Sequence, residues 1–270
     1  MNAVSHLALN DIRESARSRW LLFCAAGFAA LSAALTVAGS AGGSAGFGPT
    51  AAGLINVDLI AVPLFALVAG AMALARDRER GTYAYVRALP VTLREMYLAK
   101  CAALAVNVTG VVFAGFAGAF AAMAILRIGG DLGGLIQFAL LTWLLALACA
   151  CVGLLISACA RRSPAALGGA VGAWLALVVF GDLGLMTTAL ATHMGTGPLL
   201  AFTAINPTDA YKIAALAALS GSVDVLGPGG RLAADTLGAA IMPVMAAVLV
   251  LWGVASASLG WMTLTRRKDA

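Results

Sequence analysis

Six long apolar runs constrain this chain more than any other feature. They cover about residues 20–38, 52–75, 101–126, 135–160, 164–181 and 237–264. A helix of about 20 residues spans the roughly 30 Å hydrocarbon core of a bilayer. The apolar residues follow one another without the alternation of membrane strands. The sequence therefore predicts an all-α integral membrane protein with six transmembrane helices.

The amino-acid composition excludes a soluble globule. Hydrophobic residues make up 62% of the 270 positions and charged residues only 11%, whereas soluble domains carry about 25% charged residues. So few charges cannot cover a water-exposed surface of this size. We expect one transmembrane domain over residues 1–270, in contact with membrane lipid.

The basic residues indicate which ends of the runs face the cytoplasm. Fourteen of the 17 lysines and arginines lie before the first run, between the second and third, between the fourth and fifth, or after the sixth. The positive-inside rule places these segments, and hence both termini, in the cytoplasm. A basic balance of this kind reports topology and contact with anionic lipid, so no nucleic-acid partner is expected.

The segment before the first run has two faces. Apolar side chains recur at Val4, Leu7, Ala8, Ile12 and Ala16, and polar ones at Asn10, Arg13, Glu14 and Arg17. This spacing predicts an amphipathic helix that lies in the inner headgroup layer, with Trp20 as its anchor.

Few polar side chains fall inside the runs. Asp58 precedes Arg76 by 18 residues, about 27 Å at helical rise, which places it near the outer edge of the hydrocarbon core. Asn107 lies about 10 Å inward from Lys100, and we expect it to hydrogen-bond to a neighbouring helix. No series of ionisable residues crosses the membrane, so the energy for transport must come from another protein.

Close helix packing is predicted from the many small residues. Examples are Gly115 and Gly118 in the third run and the pair Gly168 and Gly172 in the fifth, which meets the small-xxx-small rule.

The segment of residues 76–100 is the most charged part of the chain. Pro90 divides it, since proline ends one helix and can open the next. Charged ends around an apolar centre suit a rigid cytoplasmic lever that binds a groove on a partner. A solvated run of charges is the alternative.

Within this segment, Glu79-x-Gly81-Thr82 is followed by Leu89-Pro90-Val91-Thr92-x-Arg94-Glu95 and Lys100. The pattern resembles the signature of ABC-2-type permeases, with Thr92 in place of serine, Leu93 in place of arginine and Ala99 in place of glycine. The resemblance implies a second copy of the chain and a coupling helix seated on a cytoplasmic ABC ATPase dimer. The implied coupling residues are Glu79, Arg80, Gly81, Thr82, Leu89, Pro90, Arg94 and Glu95.

ATP and magnesium would be bound by that partner, because this sequence contains no G-x-x-x-x-G-K-[ST] motif. We therefore expect no cofactor, no catalytic residue and no enzymatic activity in this chain. The resemblance places it in the bacterial inner (cytoplasmic) membrane as a multi-pass protein.

The predicted outer loop, residues 182–235, contains two apolar pieces, 197–205 and 210–219, that are too short to span and are predicted to be re-entrant or interfacial. Between them stand Asn206, Pro207, Asp209, Tyr211 and Lys212. A helix that begins at Pro207 with Asn206 as its cap would explain this motif by itself.

The same motif also resembles the permease of the ABC transporter that serves nitrous oxide reductase maturation. That resemblance implies a periplasmic β-solenoid partner docked on Asn206, Pro207, Asp209, Tyr211 and Lys212, and a role in assembling the reductase's copper centre, by export of a sulfur species or by mechanical signalling. Two alternatives remain open: an ABC-2 exporter of a lipid, drug or peptide, and a stand-alone membrane scaffold without an ATPase.

No metal site is predicted. Cys149 and Cys151 point to opposite sides of a helix because residues two apart are about 200° apart around its axis. His193 and Met194, with Met186 nearby, could instead hold Cu(I), since soft ligands suit that ion.

Overall fold

A computed structural model of the chain describes residues 3–16, 18–41, 48–81, 91–126, 132–190, 206–220 and 240–266. Within these ranges the regular structure is entirely helical. The helices are α1 Ala3–Ala16, α2 Arg19–Ala41, α3 Gly48–Glu79, α4 Leu93–Leu126, α5 Leu132–Cys159, α6 Ser163–Leu190, α7 Pro207–Ser220 and α8 Ile241–Arg266. The predicted all-α class is confirmed for this part of the chain.

Five of these helices, α2, α3, α4, α5 and α8, are long and apolar enough to cross a membrane. Helix α6 has 28 residues, about 42 Å at helical rise. Side chains are described for its apolar segment Ser163–Val179. Helix α7 has 14 residues, about 21 Å, which is too short to span. The chain is a multi-pass membrane protein.

Helices continue into segments that the sequence assigns to loops. Helix α3 runs to Glu79 and α4 begins at Leu93, inside the predicted loop of residues 76–100, and α6 continues to Leu190. Arginine, lysine and glutamate are good helix formers, so a charged residue marks the membrane boundary without ending the helix.

Helices α3 and α5 cross at two glycines and form the centre of the bundle. A Cβ atom on Gly70 would overlap the Ala150 carbonyl oxygen, and one on Gly153 would overlap the Leu67 carbonyl oxygen. The two backbones are therefore in direct contact, as is common between membrane helices. Helix α2 lies against α4, α8 against α5, and α6 against α3.

The other glycines divide into two groups. A Cβ on Gly115 would overlap the Phe28 ring and one on Gly118 the Ala29 carbonyl, so the predicted close packing is found between α4 and α2. Nothing lies within 4 Å of a Cβ built on Gly168 or Gly172. That pair does not make the expected helix contact within the described part of this chain.

Pro63 lies inside α3 and is buried. Because proline has no N–H and its ring displaces the preceding turn, carbonyl groups there lose their usual partners. The indole Nε1 of Trp174 on α6 donates to the Ile60 carbonyl in this turn at 3.0 Å. A neighbouring helix thus supplies a donor to the turn that the proline distorts, next to the Leu59 carbonyl that loses its partner, and such contacts help membrane helices to tolerate proline.

The glycine crossing yields a stability prediction. Gly70→Ala and Gly153→Ala force the α3 and α5 backbones apart, and we expect each to destabilise the protein by roughly 1–3 kcal/mol. The destabilisation is measured by thermal denaturation in detergent, with the fraction of monodisperse protein as the readout. Gly110→Ala is the matched control, because Gly110 is exposed on α4 with open space around it. Unfolding midpoints that fall equally in all three variants would contradict the proposed crossing.

Candidate functional site

The family signature begins at Glu79, where α3 ends, and two side chains at this end of α3 clamp two neighbouring helices. Arg78 Nη1 donates to the carbonyls of Ser157 at 2.9 Å and Ala160 at 2.6 Å, at the end of α5. Glu79 Oε1 accepts from the Ser163 N–H at 2.9 Å, at the start of α6. A cation thus satisfies free carbonyls and an anion satisfies a free N–H, as each helix end requires. We call these contacts the α3 clamp.

A buried hydroxyl adds to the α3 clamp one turn deeper. Ser157 Oγ accepts from the backbone N–H groups of Leu74 and Ala75, each at 3.0 Å. Side chains and backbone together therefore fix the last turns of α3 against α5.

Gly81 ends α3 in a left-handed conformation, with φ of +73°. Residues with a Cβ rarely adopt this angle, so the backbone conformation explains why the signature has a glycine at this position. Arg80 forms an exposed ion pair with Glu14 of α1 at 2.8 Å, which in water contributes little stability. Thr82, Leu89 and Pro90 lie outside the described residues.

The second half of the signature caps α4. The Thr92 N–H and hydroxyl donate to Glu95 Oε2 at 2.8 and 2.7 Å, and the Glu95 N–H donates back to Thr92 Oγ1 at 3.2 Å. This reciprocal pair is a capping box, and threonine serves it as serine would. Arg94 between them is exposed. Glu95 thus has a local structural task, and its predicted part in coupling stays a prediction.

Lys100 joins three helices at the same end of the bundle. Its Nζ lies 2.8 Å from Asp11 Oδ2 of α1 and 2.5 Å from Asp77 Oδ2 of α3. Burial raises the pKa of the Asp11 carboxyl above its ordinary value, although the Lys100 ammonium opposes this. The amphipathic α1, predicted from its two faces, is thereby tied to the bundle. Ala8 on its apolar face is buried and Arg13 on its polar face is exposed.

In the first third of α3, ten residues after the helix begins, Asp58 is buried and joins three helices. Its Oδ2 accepts from Thr142 Oγ1 of α5 at 3.0 Å and from the Tyr211 hydroxyl of α7 at 3.2 Å. The Thr142 and Tyr211 oxygens are 2.9 Å apart. All three side chains are at most 1% exposed. We call these residues the Asp58 cluster.

The Asn206 motif forms the first turn of α7. Asn206 Oδ1 accepts from the Thr208 N–H at 3.0 Å, which confirms the predicted cap with Pro207 in the first turn. Asn206 Nδ2 and Thr208 Oγ1 both donate to the Leu177 carbonyl of α6, at 2.8 and 3.2 Å. The short helix is therefore held by α6 as well as by the Asp58 cluster.

Most of the predicted docking residues point into the protein. Asn206, Pro207, Asp209 and Tyr211 are buried, and Lys212 is half-buried. Lys212 lines a small cavity of about 120 Å³ with Thr208 and Asp209. The buried positions hold α7 in place, and their role in binding a periplasmic partner stays a prediction.

Helix α3 connects the two groups of contacts. From Asp58 to Glu79 it covers 21 residues, about 32 Å at helical rise, which is close to the thickness of the hydrocarbon core. One helix therefore carries both the start of the signature and the anchor of the Asn206 motif.

Metal-ligating side chains are scattered in the described ranges. No group of three or more His, Cys, Asp or Glu residues that could hold a metal ion occurs there. Cys149 is buried and Cys151 half-buried, two residues apart on α5. Met186 lies on α6, where its side chain is not described, and His193 and Met194 lie outside the described residues.

These features define a class: a multi-pass helical membrane protein whose charged helix ends are fixed at one side of the bundle. The family of ABC-2 family transporter proteins matches residues 6–268, and the chain belongs to this family. The family implies an ABC ATPase partner and dimerisation.

Two curated relatives cover nearly the whole chain, and both are named probable ABC transporter permease protein NosY. The one from Stutzerimonas stutzeri is 29% identical over 261 residues, 93% of this chain and 92% of the relative. The one from Pseudomonas aeruginosa is 27% identical over 285 aligned positions, 99% of both proteins. The recognised resemblance to ABC-2-type permeases is confirmed.

The Asp58 cluster was not found from the sequence. Asp58 stood out as a carboxyl in an apolar run, and such a group requires a polar partner. Its partners, Thr142 and Tyr211, follow 84 and 153 residues later, too far apart for any local pattern to connect them.

The Asp58 cluster gives a local stability prediction. Tyr211→Phe removes a hydroxyl bonded to two buried oxygens, which costs about 1–3 kcal/mol. We expect α7 to detach from the bundle more often. A cysteine introduced by Ala214→Cys, at a position buried in α7, should then react faster with a maleimide than it does without the Tyr211→Phe change. Peptide mass spectrometry separates this thiol from the natural cysteines.

Tyr97→Phe is the matched control. It removes the buried hydroxyl that donates to the Ala257 carbonyl at 2.7 Å, between α4 and α8. The cysteine at position 214 should remain protected in that variant. Equal reactivity in the two variants would show that Tyr211 contributes only to global stability.

Proposed function

We propose that this chain is the membrane subunit of an ATP-driven complex that supports nitrous oxide reductase copper-centre maturation. In this proposal it couples ATP hydrolysis by a cytoplasmic ATPase to an event in the periplasm. The ABC-2 membership and the two NosY-named relatives support the transporter role. The resemblance of the Asn206 motif supports the particular process.

One observation carries the coupling proposal: α3 is held by polar contacts at its basic end and again at Asp58, 21 positions away. At the basic end the α3 clamp binds α5 and α6, and the Asp58 cluster binds α7. A displacement of the signature segment therefore pulls on helices that also contact the Asn206 motif. Packed helices transmit such a displacement because their cores do not deform continuously.

The proposed topology has six spans with both termini in the cytoplasm. Helix α6 supplies the sixth span, since its 28 residues exceed the length that a bilayer requires. The α3 clamp and Lys100 then lie at the cytoplasmic side, as the positive-inside rule requires of their arginines. Helix α1 lies in the inner headgroup layer, and α7 is a re-entrant or interfacial helix of the outer side.

The proposed assembly contains two copies of this chain, an ATPase dimer and a periplasmic β-solenoid protein. The stretch from Glu79 to Arg94 would contribute the coupling helix. The exposed Arg94 and the exposed end of α3 would contact the ATPase. Mechanical signalling accounts best for the outer event, because it uses the continuous α3 and requires no polar path through the membrane.

The coupling role predicts a specific biochemical defect. We expect Glu79→Lys and Arg94→Glu to lower ATP hydrolysis stimulated by the permease several-fold in the reconstituted complex, because both reverse a charge beside the coupling segment. Arg13→Glu reverses an exposed charge on the polar face of α1 and serves as the control. Wild-type ATPase stimulation in both test variants, with the dimer intact, would refute the coupling assignment.

The maturation role predicts a cellular phenotype. Deleting the gene in a denitrifying host should leave nitrous oxide reductase with little copper and little activity, and the wild-type gene should restore both. A Lys212→Glu gene should restore them poorly, because the half-buried lysine lies on the proposed docking turn, whereas Arg13→Glu on the exposed face of α1 should restore them fully. A fully copper-loaded reductase in the deletion strain would favour export of another cargo.

A further inference from the structure

A cavity of about 520 Å³ opens between α1, α3 and α4 at the basic end of the bundle. Val68, Met72, Arg76 and Arg80 line it from α3 at four-residue spacing, so one face of that helix forms a wall. The volume lies in the range of about 300–1,000 Å³ that is usual for small-molecule sites.

The wall changes from charged to apolar along its length. Arg76 and Arg80 lie near the end of α3, and Met72 and Val68 follow toward the centre of the bundle. Arg80 and Val68 are about 18 Å apart at helical rise. On α4 the order is the same, with Lys100 near the helix start and Leu104 one turn deeper. A cavity with this gradient suits an amphiphile whose polar head lies at the basic end.

The charged groups at the mouth are unevenly compensated. Asp11 and Asp77 share the single ammonium of Lys100, so this group of three carries one negative charge in excess. The raised pKa of Asp11 agrees with an incompletely compensated, buried carboxylate. Arg80 and Glu14 neutralise each other.

Arg76 supplies the matching positive charge. It is half-buried in the lining, and its guanidinium makes no ion pair or hydrogen bond with the part of the chain that the structure describes. Asn107 lies deeper on α4, and its amide likewise has no hydrogen-bond partner among the described side chains. The predicted bond from Asn107 to a neighbouring helix is not found among the described residues.

We propose that this cavity holds the headgroup and one acyl chain of a single phospholipid with a primary ammonium, of the phosphatidylethanolamine class, whose second acyl chain lies outside the cavity. Arg76 binds the phosphate, since guanidinium pairs with phosphate oxygens through two N–H groups. Asp11 and Asp77 accept from the ammonium, and Asn107 donates to an ester carbonyl. One acyl chain lies along Met72 and Val68. The site is separate from the coupling proposal and holds whether or not the complex transports a cargo.

The headgroup choice follows from the two opposite charges. Phosphatidylglycerol has no cation for the shared aspartates, and the quaternary ammonium of phosphatidylcholine cannot donate a hydrogen bond to them. Inorganic phosphate would occupy Arg76 but leave the apolar wall empty.

Lipid retention by the full-length protein tests the proposal. The protein is delipidated in mild detergent, incubated with equimolar phosphatidylethanolamine, phosphatidylglycerol and phosphatidylcholine, and examined by native mass spectrometry. We expect one tightly retained phosphatidylethanolamine per chain, at least about tenfold over the other two lipids. Arg76→Gln should reduce retention about tenfold, whereas Arg94→Gln, an exposed arginine outside the cavity, should leave it unchanged.

Further measurements test where the lipid binds. Met72→Trp fills the apolar part and should abolish retention, with unchanged thermal stability as the check on folding. Inorganic phosphate at millimolar concentration should not displace the lipid. A photoreactive group on the acyl chain should label peptides around Met72 and Leu104.

Four outcomes would overturn the proposal. They are equal retention of the three lipids, unchanged retention in Arg76→Gln, displacement by inorganic phosphate, and a specific cross-link between Met72→Cys residues of two copies with no bound lipid. The last result would assign the cavity to an interface between two copies of the chain.

Discussion

The fold depends on the cost of placing an unpaired polar group in hydrocarbon. Each such group loses several kcal/mol of hydration unless another group replaces the water. Asp58 is the strongest case, because a buried carboxyl inside an apolar run requires donors, and Thr142 and Tyr211 provide them. The same requirement explains why Trp174 donates to the turn that Pro63 interrupts. Among the described residues, these buried polar contacts each join two or more helices.

Close glycine contacts are the second kind of interaction that holds the helices together. Lipid tails are as apolar as leucine, so hydrophobic burial alone gives membrane helices little reason to associate. The contact of Gly70 with the α5 backbone, and of Gly118 with Ala29, replaces lipid contacts by closely packed protein atoms. Two kinds of contact thus stabilise the bundle. The glycines allow a short distance between helices, and the polar groups determine which helices pair and in which register.

Features encoded locally could be predicted from the sequence. The apolar runs, the two faces of α1 and the Asn206 cap of α7 each depend on residues within a few positions of one another. The capping box of Thr92 and Glu95 is equally local, but the family signature led us to assign Glu95 to coupling alone. The α3 clamp and the Asp58 cluster join residues at least 69 positions apart. Their partners are set by how the helices assemble, which no short pattern contains.

Pro63 gives α3 two mechanically different parts. Below it, Gly70 and the α3 clamp fix the helix closely to α5. Above it, the turn that carries Asp58 lacks one ladder hydrogen bond and is the natural place for the helix axis to bend. In the coupling that we propose, a movement that enters at the basic end would tilt the short upper part of α3 about the proline. Because Asp58 in that part is bonded to Tyr211 of α7, the tilt would also change the direction of α7.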